Sequence, residues 1–440
     1  MVDSNISINL TNRKEYNLTD FTNVYSRIMQ FDKNKSAYIH QWYPFVEGYS
    51  KEFITSIIDE LDYKPKHAFD PFVGSGTTPL ELQEIGIKCS SFEVSPFMHK
   101  LATVKLERSY NQNGFQNALD AVCHNLNGKL LPIRNIMEPP IAKTIQQRKG
   151  LDKWLFNRPV MDGILDIKHV ICKIGDEKYK DLFTIALASI LLDVSNVYRD
   201  GKSVKYKKDW KRIKIKRRDV HLKFVTVLKE TFLPDIILLE SKEIVVENKD
   251  LCILGDVREG IKDFKDDSID LVITSPPYLN SRDYTDIYIA ELWVLGFIKN
   301  YDELRSLRNR TIRSHVQVKH GDIEIIDSQE LRNVIGKLSE NTKDHWNKEI
   351  IGMIKGYFLD MKNLFIELRK KMQSEKKIFF NVANSAYYGV EIKVDMIMAE
   401  IAENCGFKVE EVRKARDLKP SSQQKDLIDS LRESIIVLTS

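Results

Sequence analysis

The feature that most constrains the fold is a strand, a glycine turn and a helix that follow one another near residue 70. Residues 66–82 read KHAFDPFVGSGTTPLEL, which predicts a strand over His67–Asp70 and a helix that begins after Gly74-Ser75-Gly76. A second strand is predicted over Lys88–Val94. Two strands joined by a helix are typical of a parallel sheet, because parallel strands need a long crossover connection.

The same alternation returns in the second half of the chain. We predict further strands over Cys252–Leu254, Ile269–Ile273, Lys377–Val382, Phe407–Arg416 and Glu433–Thr439, and helices over Lys51–Leu61, Thr78–Ile85, Phe97–Leu106, Tyr357–Met372 and Val390–Asn404. The expected fold class is therefore α/β, a Rossmann-like, doubly wound and mostly parallel sheet formed by residues 1–106 and 246–440. Residues 107–245 are predicted to be a largely helical insertion, and residues 299–350 a second, charged insertion.

Length and composition indicate a soluble globular protein. The 440 residues exceed one ordinary domain, and 42% hydrophobic with 30% charged residues is a globular composition. The polar first 20 residues predict no signal peptide, and the apolar run Leu182–Leu192 is too short to span a membrane. The five cysteines form no CxxC pair, so we expect neither a disulfide framework nor a metal site, and a cytoplasmic location.

The glycine turn and a following acid suggest a nucleotide-like ligand. Glu93 ends the second strand 17 residues after Gly76, where an acid binds ribose hydroxyls in such sites. NAD is disfavoured because Pro79 stands where a third glycine is needed, and ATP because no Lys follows Gly76. S-adenosylmethionine carries adenosine without phosphates and remains compatible. The alternative is a purely structural turn.

A second feature follows the predicted strand Ile269–Ile273. Residues 275–278 are Ser-Pro-Pro-Tyr, in which two prolines fix the backbone and supply no N–H donor. Taken alone, this stretch is interpreted either as a rigid turn or as a functional element at the tip of a strand.

A strongly basic segment lies within the helical middle of the chain. Residues 199–218 contain eleven Lys or Arg and two Asp, with Tyr206 and Trp210 among them. Basic and aromatic side chains together suit a nucleic-acid backbone, although a solvated basic loop has the same composition. The alternation of Arg212, Lys214 and Lys216 with isoleucines predicts a strand with one basic face.

The two main motifs resemble those of a known enzyme family. FVGSG at 72–76 is similar to the FxGxG motif of the amino-group DNA methyltransferases, and SPPY at 275–278 resembles their catalytic motif in its N4-cytosine form. HQWYP at 40–44 and GDV at 255–257 resemble two further elements of the family. The resemblance covers about residues 38–106 and 246–440.

The resemblance implies a class I methyltransferase fold, S-adenosylmethionine as cofactor and duplex DNA as substrate. It implies that Glu93 binds the cofactor ribose, that Asp256 lies near the adenine and that Trp42 and Tyr43 lie near the methionine part. The remaining cofactor residues that it implies lie on the glycine turn: Asp70, Pro71, Phe72, Gly74, Ser75, Gly76 and Thr77.

The chemistry of methyl transfer gives SPPY a role. An exocyclic amine is a poor nucleophile because its lone pair is delocalised into the ring, so acceptors for its hydrogens would restore that lone pair. Ser275 Oγ and the Pro276 carbonyl are suitable acceptors, Pro277 stiffens the turn, and Tyr278 can stack on a base flipped out of the duplex. None of the five cysteines follows a proline, which argues against cytosine-C5 methylation.

In this context the basic segment is predicted to bind DNA, with Asn196, Arg199 and Asp200 placed to read base edges. The predicted DNA-binding residues are Arg199, Lys202, Lys205, Lys207, Lys208, Lys211, Arg212, Lys214, Lys216 and Arg218. Tyr284 and Asp283 are candidates for the base pocket. In the second insertion Arg305, Arg308, Arg310, Arg313 and His315 either contact phosphates or form a solvated helix.

Three other functions remain open at this point. They are an N6-adenine DNA methyltransferase, an RNA methyltransferase on the same fold, and a DNA-binding protein without catalytic activity. The N4-cytosine prediction depends on Ser275, since adenine enzymes of the family more usually carry Asp or Asn there. A companion restriction endonuclease acting at the same DNA site is a further expected partner.

Overall fold

Among the residues that the structure describes, the strands form one eight-stranded sheet and two short hairpins. A computed structural model describes residues 16–45, 47–128, 137–142, 144–200, 203–243, 245–321, 323–324, 326–340 and 347–440. Its strands are β1 (Leu18–Asp20), β2 (His67–Asp70), β3 (Lys88–Glu93), β4 (Val197–Arg199), β5 (Val204–Tyr206), β6 (Cys252–Leu254), β7 (Ile269–Thr274), β8 (Met372–Ala383), β9 (Ser385–Tyr387), β10 (Val390–Ile392), β11 (Lys408–Leu418) and β12 (Leu431–Thr439).

The central sheet is mostly parallel. Its strand order is β1-β11-β12-β8-β7-β2-β3-β6. Strand β12 runs antiparallel to both of its neighbours, and the other adjacent pairs are parallel. The predicted α/β class with a mostly parallel sheet is confirmed. Because the parallel strands share one direction, β2, β3, β6, β7 and β8 all end at the same edge of the sheet.

Helices cover the sheet and fill the middle of the chain. The α-helices are α1 (Thr22–Tyr25), α2 (Lys51–Glu60), α3 (Thr77–Glu84), α4 (Pro96–Leu106), α5 (Gln112–Asn127), α6 (Arg158–Ile171), α7 (Glu177–Val194), α8 (Arg217–Val227), α9 (Leu233–Glu240), α10 (Val257–Gly260), α11 (Tyr284–Ile287), α12 (Ile289–Val294), α13 (Tyr301–Arg310), α14 (Gln329–Glu340), α15 (Ile350–Lys371) and α16 (Val394–Asn404). The region predicted to be largely helical contains α5 to α9 and the hairpin β4–β5.

Alternate residues of the central strands face two different apolar clusters. Leu271 and Ile273 of β7 pack with residues of α2 on one face, whereas Val272 packs with residues of α15 and α16 on the other. This alternation follows from the two-residue period of a strand. A third cluster joins α4 to the helices α5 to α9 and to α12. Burial on both faces explains why four of the six residues of β7 are apolar.

The strand predicted within the basic segment is wrong. Residues Trp210–Arg212 form a 3₁₀ turn, and α8 begins at Arg217. The Asp219 side chain accepts a hydrogen bond from the Lys216 N–H at 2.8 Å and so stabilises the start of α8. On α6, a Cβ at Gly163 would meet the Arg217 carbonyl at 2.8 Å, so the two helices approach closely only because that residue is glycine.

Other elements also differ from the predictions. Helix α15 begins seven residues before the predicted Tyr357, at Ile350. The residues before α16 form a short hairpin, β9–β10, so that helix begins at Val394 rather than Val390. Strand β1, which the sequence did not indicate, pairs parallel with β11.

Candidate active site

A large cavity lies at the edge of the sheet where β2, β3, β6, β7 and β8 end. Its volume is about 960 Å³. The glycine turn after β2 lines one part of it, and SPPY after β7 lines another. Ligands of open α/β sheets bind at this carboxyl edge. The structure therefore brings the two motifs, about 200 residues apart in the sequence, to one site.

The glycine turn places backbone directly against the cavity. Gly74 has φ +52° and Gly76 has φ +87°, a left-handed conformation that glycine adopts without steric cost. A Cβ at Gly76 would meet Ala102 of α4 at 3.2 Å, so this glycine also permits close packing. Helix α3 begins at Thr77. Gly74, Pro71, Phe72, Ser75 and Thr77 line the cavity, whereas Gly76 is not among the described residues that do.

Two acids anchor the glycine turn from neighbouring strand ends. Asp70 is buried, and its Oδ1 accepts hydrogen bonds from Phe72 N at 3.1 Å and Thr274 Oγ1 at 2.7 Å. Burial raises the pKa of Asp70 to about 6. Glu93 lines the cavity and accepts from Gly74 N at 3.0 Å. Burial raises the pKa of Glu93 to about 7. Glu93 therefore offers a carboxyl group to the cavity, whereas Asp70 supports the turn from behind.

Asp256 lies at the cavity beside the end of β6. Its Oδ1 accepts from Arg258 N at 3.0 Å, which caps α10, and its Oδ2 pairs with Arg258 Nη2 at 2.6 Å. Arg258 also pairs with the buried Asp360 of α15 at 3.0 Å. The predicted adenine-side residue thus belongs to a chain of ion pairs that fixes it in place.

The SPPY motif continues directly from β7. All six residues of β7 are buried, whereas Ser275, Pro277 and Tyr278 are partly exposed and line the cavity with the buried Pro276. Ser275 Oγ donates to the Tyr278 hydroxyl at 3.4 Å. Burial, followed by the neighbouring Glu433 carboxylate, raises the pKa of Tyr278 well above its ordinary value.

Three polar residues on neighbouring strands lie behind the motif and were missed in the sequence: two contact it directly, and the third pairs with one of these. Asn381 Nδ2 on β8 donates to the Tyr278 hydroxyl at 2.7 Å. The Tyr278 hydroxyl donates to Glu433 on β12, which pairs with Arg416 on β11. All three line the cavity. The signal for them was a polar residue inside an apolar strand, as Asn381 is in IFFNVA and Glu433 is before SIIVL.

The candidates just after SPPY separate into one that lines the cavity and one that does not. Tyr284 lines it. Asp283 is buried, caps α11 through Thr285 N at 2.8 Å and pairs with Arg308 at 2.5 Å. Phe45, stacked on Tyr288 at 6.2 Å between ring centroids, lines the cavity beside the glycine turn and was not predicted.

The structure corrects the positions of Trp42 and Tyr43. Both are buried, and neither is among the described residues that line the cavity. The Trp42 ring stacks on Phe232 at 5.2 Å. The Tyr43 hydroxyl donates to Glu291 at 2.6 Å. These aromatic side chains join the turn before α2 to the helical region, so their role in the structure is packing.

Some residues of the predicted DNA-binding set are bound within the protein, among them Arg199, Lys207 and Arg218. Arg199 is buried and pairs at 2.9 Å with Glu291, whose side chain is 0% exposed. Lys207 Nζ donates to the carbonyls of Leu192, Asp193 and Ser195 at the end of α7, and Arg218 donates to the carbonyls of Leu126 and Gly128 at the end of α5. Cations at helix C-termini satisfy free carbonyls and the helix dipole. The DNA-contact prediction for Arg199 is therefore corrected: it is a buried ion-pair residue.

Most of the remaining predicted DNA-binding residues are exposed, and we refer to them together as the exposed basic face. Those that the structure describes as exposed are Lys205, Lys208, Lys211, Arg212, Lys214 and Lys216. Lys205 pairs with Asp200, a cavity residue, at 2.5 Å. Lys202 lies outside the described residues. Asn196, a predicted base reader, is buried and donates to Trp154 O at 3.2 Å.

Three arginines of the second charged insertion form ion pairs. Arg308 pairs with Asp283, Arg313 with Asp360 at 2.7 Å, and Arg305 with Asp302 at 3.1 Å. Arg310 and His315 line the cavity. Burial lowers the pKa of His315. Only part of this basic series therefore faces the candidate site.

Neither a metal-binding cluster nor a membrane-spanning helix is found among the described residues. Within them, no three or more His, Cys, Asp or Glu side chains are arranged to hold a metal ion. No helix in this part of the chain is both long and apolar enough to cross a membrane.

Known proteins with similar sequences indicate the class of enzyme. The chain is 27% identical over 463 residues to the type II methyltransferase M.BsoBI of Geobacillus stearothermophilus, a match that covers 94% of this chain and 87% of that protein. The chain is similar to type II methyltransferases. It is 26% identical over 437 residues to M.AvaI of Nostoc sp., covering 91% and 85% of the two chains, and 22% identical over 401 residues to M.MvaI of Kocuria varians, covering 86% and 84%. No protein-family model matches the chain. The relatives support a methyltransferase.

Proposed function

We propose that the protein is an S-adenosylmethionine-dependent DNA methyltransferase that methylates the exocyclic N4 amine of a cytosine in duplex DNA. The observation that carries this proposal is the shared cavity of the glycine turn and SPPY. The similarity to type II methyltransferases supports the same class of reaction. The name type II also supports a place in a restriction–modification system, with a companion endonuclease, in a prokaryotic cytoplasm.

The residues around the glycine turn fit the proposed cofactor. Gly74 presents backbone to the cavity, and a Cβ there would approach the Phe45 ring at 3.3 Å. Glu93 supplies an acceptor for ribose hydroxyls, and Asp256 lies on the adenine side beside the apolar Phe92 and Val257. S-adenosylmethionine, when bound, supplies an activated methyl group.

The SPPY residues act on the amine. Ser275 Oγ and the Pro276 carbonyl accept its two N–H groups, which withdraws the nitrogen lone pair from the ring and directs it at the methyl group. Pro277 keeps the backbone of this turn fixed, so both acceptors are positioned before substrate arrives. The Tyr278 ring stacks on the base, which must leave the duplex at a cost of a few kcal/mol.

The helical middle region supplies the DNA-binding surface in this proposal. Residues 1–106 and 246–440 form the catalytic part, residues 107–245 form the target-recognition region, and residues 299–350 form a second insertion. The exposed cations between Lys205 and Lys216 contact phosphates. The ion pair between Lys205 and Asp200 connects this surface to the edge of the cavity.

Nucleoside analysis of DNA methylated in vitro tests the proposal. The expected product is N4-methylcytosine, and the variant Ser275→Ala is expected to form almost none. Ser268→Ala is a matched control, because Ser268 lies just before the other end of β7 and bonds to Lys265 O. N6-methyladenine without N4-methylcytosine would show the adenine enzyme instead. Methylation of RNA but not DNA, or no methyl transfer to either, would reject the proposed activity.

A further inference from the structure

A row of hydrogen-bonded side chains crosses four adjacent strands behind SPPY. In the sheet, β7, β8, β12 and β11 are consecutive neighbours. Ser275 follows β7, Asn381 lies on β8, Glu433 on β12 and Arg416 on β11, and Arg416 pairs directly with Glu433 in the strand register. Asn381 and Glu433 are each 1% exposed. The register of the strands therefore fixes the positions of these side chains relative to one another.

The chemistry of these groups determines the direction of each hydrogen bond. Arg416 only donates, and it binds Glu433 Oε2. The Asn381 amide nitrogen also only donates, and it contacts Glu433 Oε1 at 3.1 Å and the Tyr278 hydroxyl at 2.7 Å. A carboxylate only accepts, so the Tyr278 hydroxyl gives its own proton to Glu433 Oε1. Its remaining lone pair can accept only from Ser275.

This direction matters for the motif because a hydroxyl can face a ligand in two ways. Ser275 Oγ contacts the Tyr278 hydroxyl at 3.4 Å and the Asn381 amide at 3.3 Å. When its proton points to Tyr278, a lone pair is left for the cavity. When its proton points into the cavity, it opposes the N–H of an incoming amine.

We propose that Glu433, held by Arg416 and Asn381, is a positioning residue that orients the Tyr278 and Ser275 hydroxyls so that Ser275 presents a lone pair to the target amine. The inference rests on the proposed function and deepens it. Tyr278 then has two roles: its ring faces the base, and its hydroxyl transmits the orientation from Glu433 to Ser275. Glu433 itself does not touch the substrate.

The variant Glu433→Gln tests this orientation. A glutamine amide can donate to Tyr278, which permits the Tyr278 proton to turn to Ser275 and the Ser275 proton to turn into the cavity. We expect kcat for methyl transfer to duplex DNA to fall on the order of 100-fold. The KM for DNA and the affinity for S-adenosylmethionine should stay within about twofold, since binding contacts are unchanged.

The variant Tyr278→Phe keeps the ring and removes the connecting hydroxyl. We expect a loss of about tenfold in kcat, and no further loss when Glu433→Gln is added, because the connection is already absent. If Tyr278 only stacks on the base, Tyr278→Phe would keep wild-type kcat. If Glu433 acts by another route, the two losses would multiply. Either result would overturn the inference.

Asp395→Asn is the matched control for loss of a buried carboxylate. Asp395 of α16 is 0% exposed and pairs with Arg432, which lies on β12 next to Glu433. Asp395 is not among the described residues that line the cavity. We expect a lower melting temperature and an unchanged kcat. If Glu433→Gln does not fold, the pair Ser275→Ala and Tyr278→Phe tests the Tyr278–Ser275 step on which the inference depends, because their effects on kcat must then be non-additive. A wild-type protein that methylates no DNA would reject the proposed function, whereas active wild type with additive variants rejects only this inference.

Discussion

The Glu93 carboxylate accepts a hydrogen bond from the backbone N–H of Gly74 at 3.0 Å, which connects the end of β3 to the turn after β2. Its other oxygen accepts from Ser95 N at 2.8 Å at the start of α4. A carboxylate has about four acceptor sites, so Glu93 can hold the turn and bind a ligand hydroxyl together. The charge of Glu93 therefore affects both the conformation of the turn and the binding of the ligand.

Cofactor affinity should therefore depend on pH near neutrality. Burial raises the pKa of Glu93 to about 7, so lowering the pH through 7 converts the carboxylate to a weaker acceptor. We expect the affinity for S-adenosylmethionine to rise from pH 6 to pH 8 and to level above that. Titration calorimetry measures it. Glu93→Gln should bind more weakly and with a flatter pH dependence, and an unchanged slope would show that another group, such as Asp70, is responsible.

Gly76 and Gly86 give a matched pair of substitutions. Both have positive φ, +87° and +75°, but a Cβ at Gly76 would meet Ala102 at 3.2 Å whereas at Gly86 the nearest atom is 4.0 Å away. Gly86→Ala should lower the free energy of unfolding by about 1–2 kcal/mol from backbone strain alone. Gly76→Ala should cost about 1 kcal/mol more and also weaken cofactor binding. Equal losses in urea unfolding would contradict the packing role of Gly76.

The buried pair Arg199–Glu291 should contribute to stability and not to DNA affinity. Arg199→Met leaves the fully buried Glu291 carboxylate without its ion pair, and removal of one partner of such a pair typically costs about 3–5 kcal/mol. Lys214→Met, at an exposed position, should leave the free energy of unfolding nearly unchanged. Urea unfolding compares the two. A stable Arg199→Met protein with weakened DNA binding would restore the original expectation for this residue.

The glycine turn was predictable because its geometry is local. Positive φ at Gly74 and Gly76 and the helix that begins at Thr77 depend on residues within one short segment, and Glu93 reaches the turn because β2 and β3 are adjacent and parallel. The mostly parallel sheet followed from the same alternation of strands and helices.

Residues whose positions were predicted wrongly, or not at all, are held by contacts between segments that are distant in the sequence. Trp42 lies in the core because Phe232, 190 residues later, packs on its ring. The Arg416–Glu433 pair that supports Tyr278 arises from strand register, which a single sequence does not show. In the basic segment, a period of two coincided with the turn before α8 and so resembled a strand. Charge alone could not separate Lys207, whose ammonium group contacts backbone carbonyls, from its exposed neighbours.

The exposed basic face should account for much of the salt dependence of DNA binding. Replacing Lys211, Arg212, Lys214 and Lys216 by Ala should weaken binding to all duplex sequences. The slope of log K against log salt should fall by about 0.9 for each DNA phosphate that the variant no longer neutralises. A matched set of exposed lysines, Lys262, Lys265, Lys370 and Lys408, should leave the slope unchanged. Fluorescence anisotropy over a range of salt concentrations measures both. Equal slopes for the two sets would exclude this face as the DNA-binding surface.

Lys105 should make the stability of the protein depend on pH. This lysine of α4 is 0% exposed, and its Nζ has no hydrogen-bond partner among the described residues. Burial lowers the pKa of Lys105 to about 7, below the ordinary value of an unfolded chain. Between these two values the unfolded state binds more protons, so the free energy of unfolding should rise with pH above 7, by at most about 1.4 kcal/mol per pH unit.

Lys105→Met tests this dependence directly. The variant should be more stable than wild type at pH 7, because no ammonium group has to lose its proton or its hydration on folding. Its free energy of unfolding should also rise less steeply between pH 7 and pH 9.5, as measured by urea unfolding. Lys100→Met, on the same helix but with a side chain 32% exposed and paired with Asp181, should keep the wild-type slope. If Lys105→Met keeps that slope as well, then Lys105 is protonated in the folded protein and its charge is stabilised by its surroundings, among them the Phe31 ring 5.8 Å away.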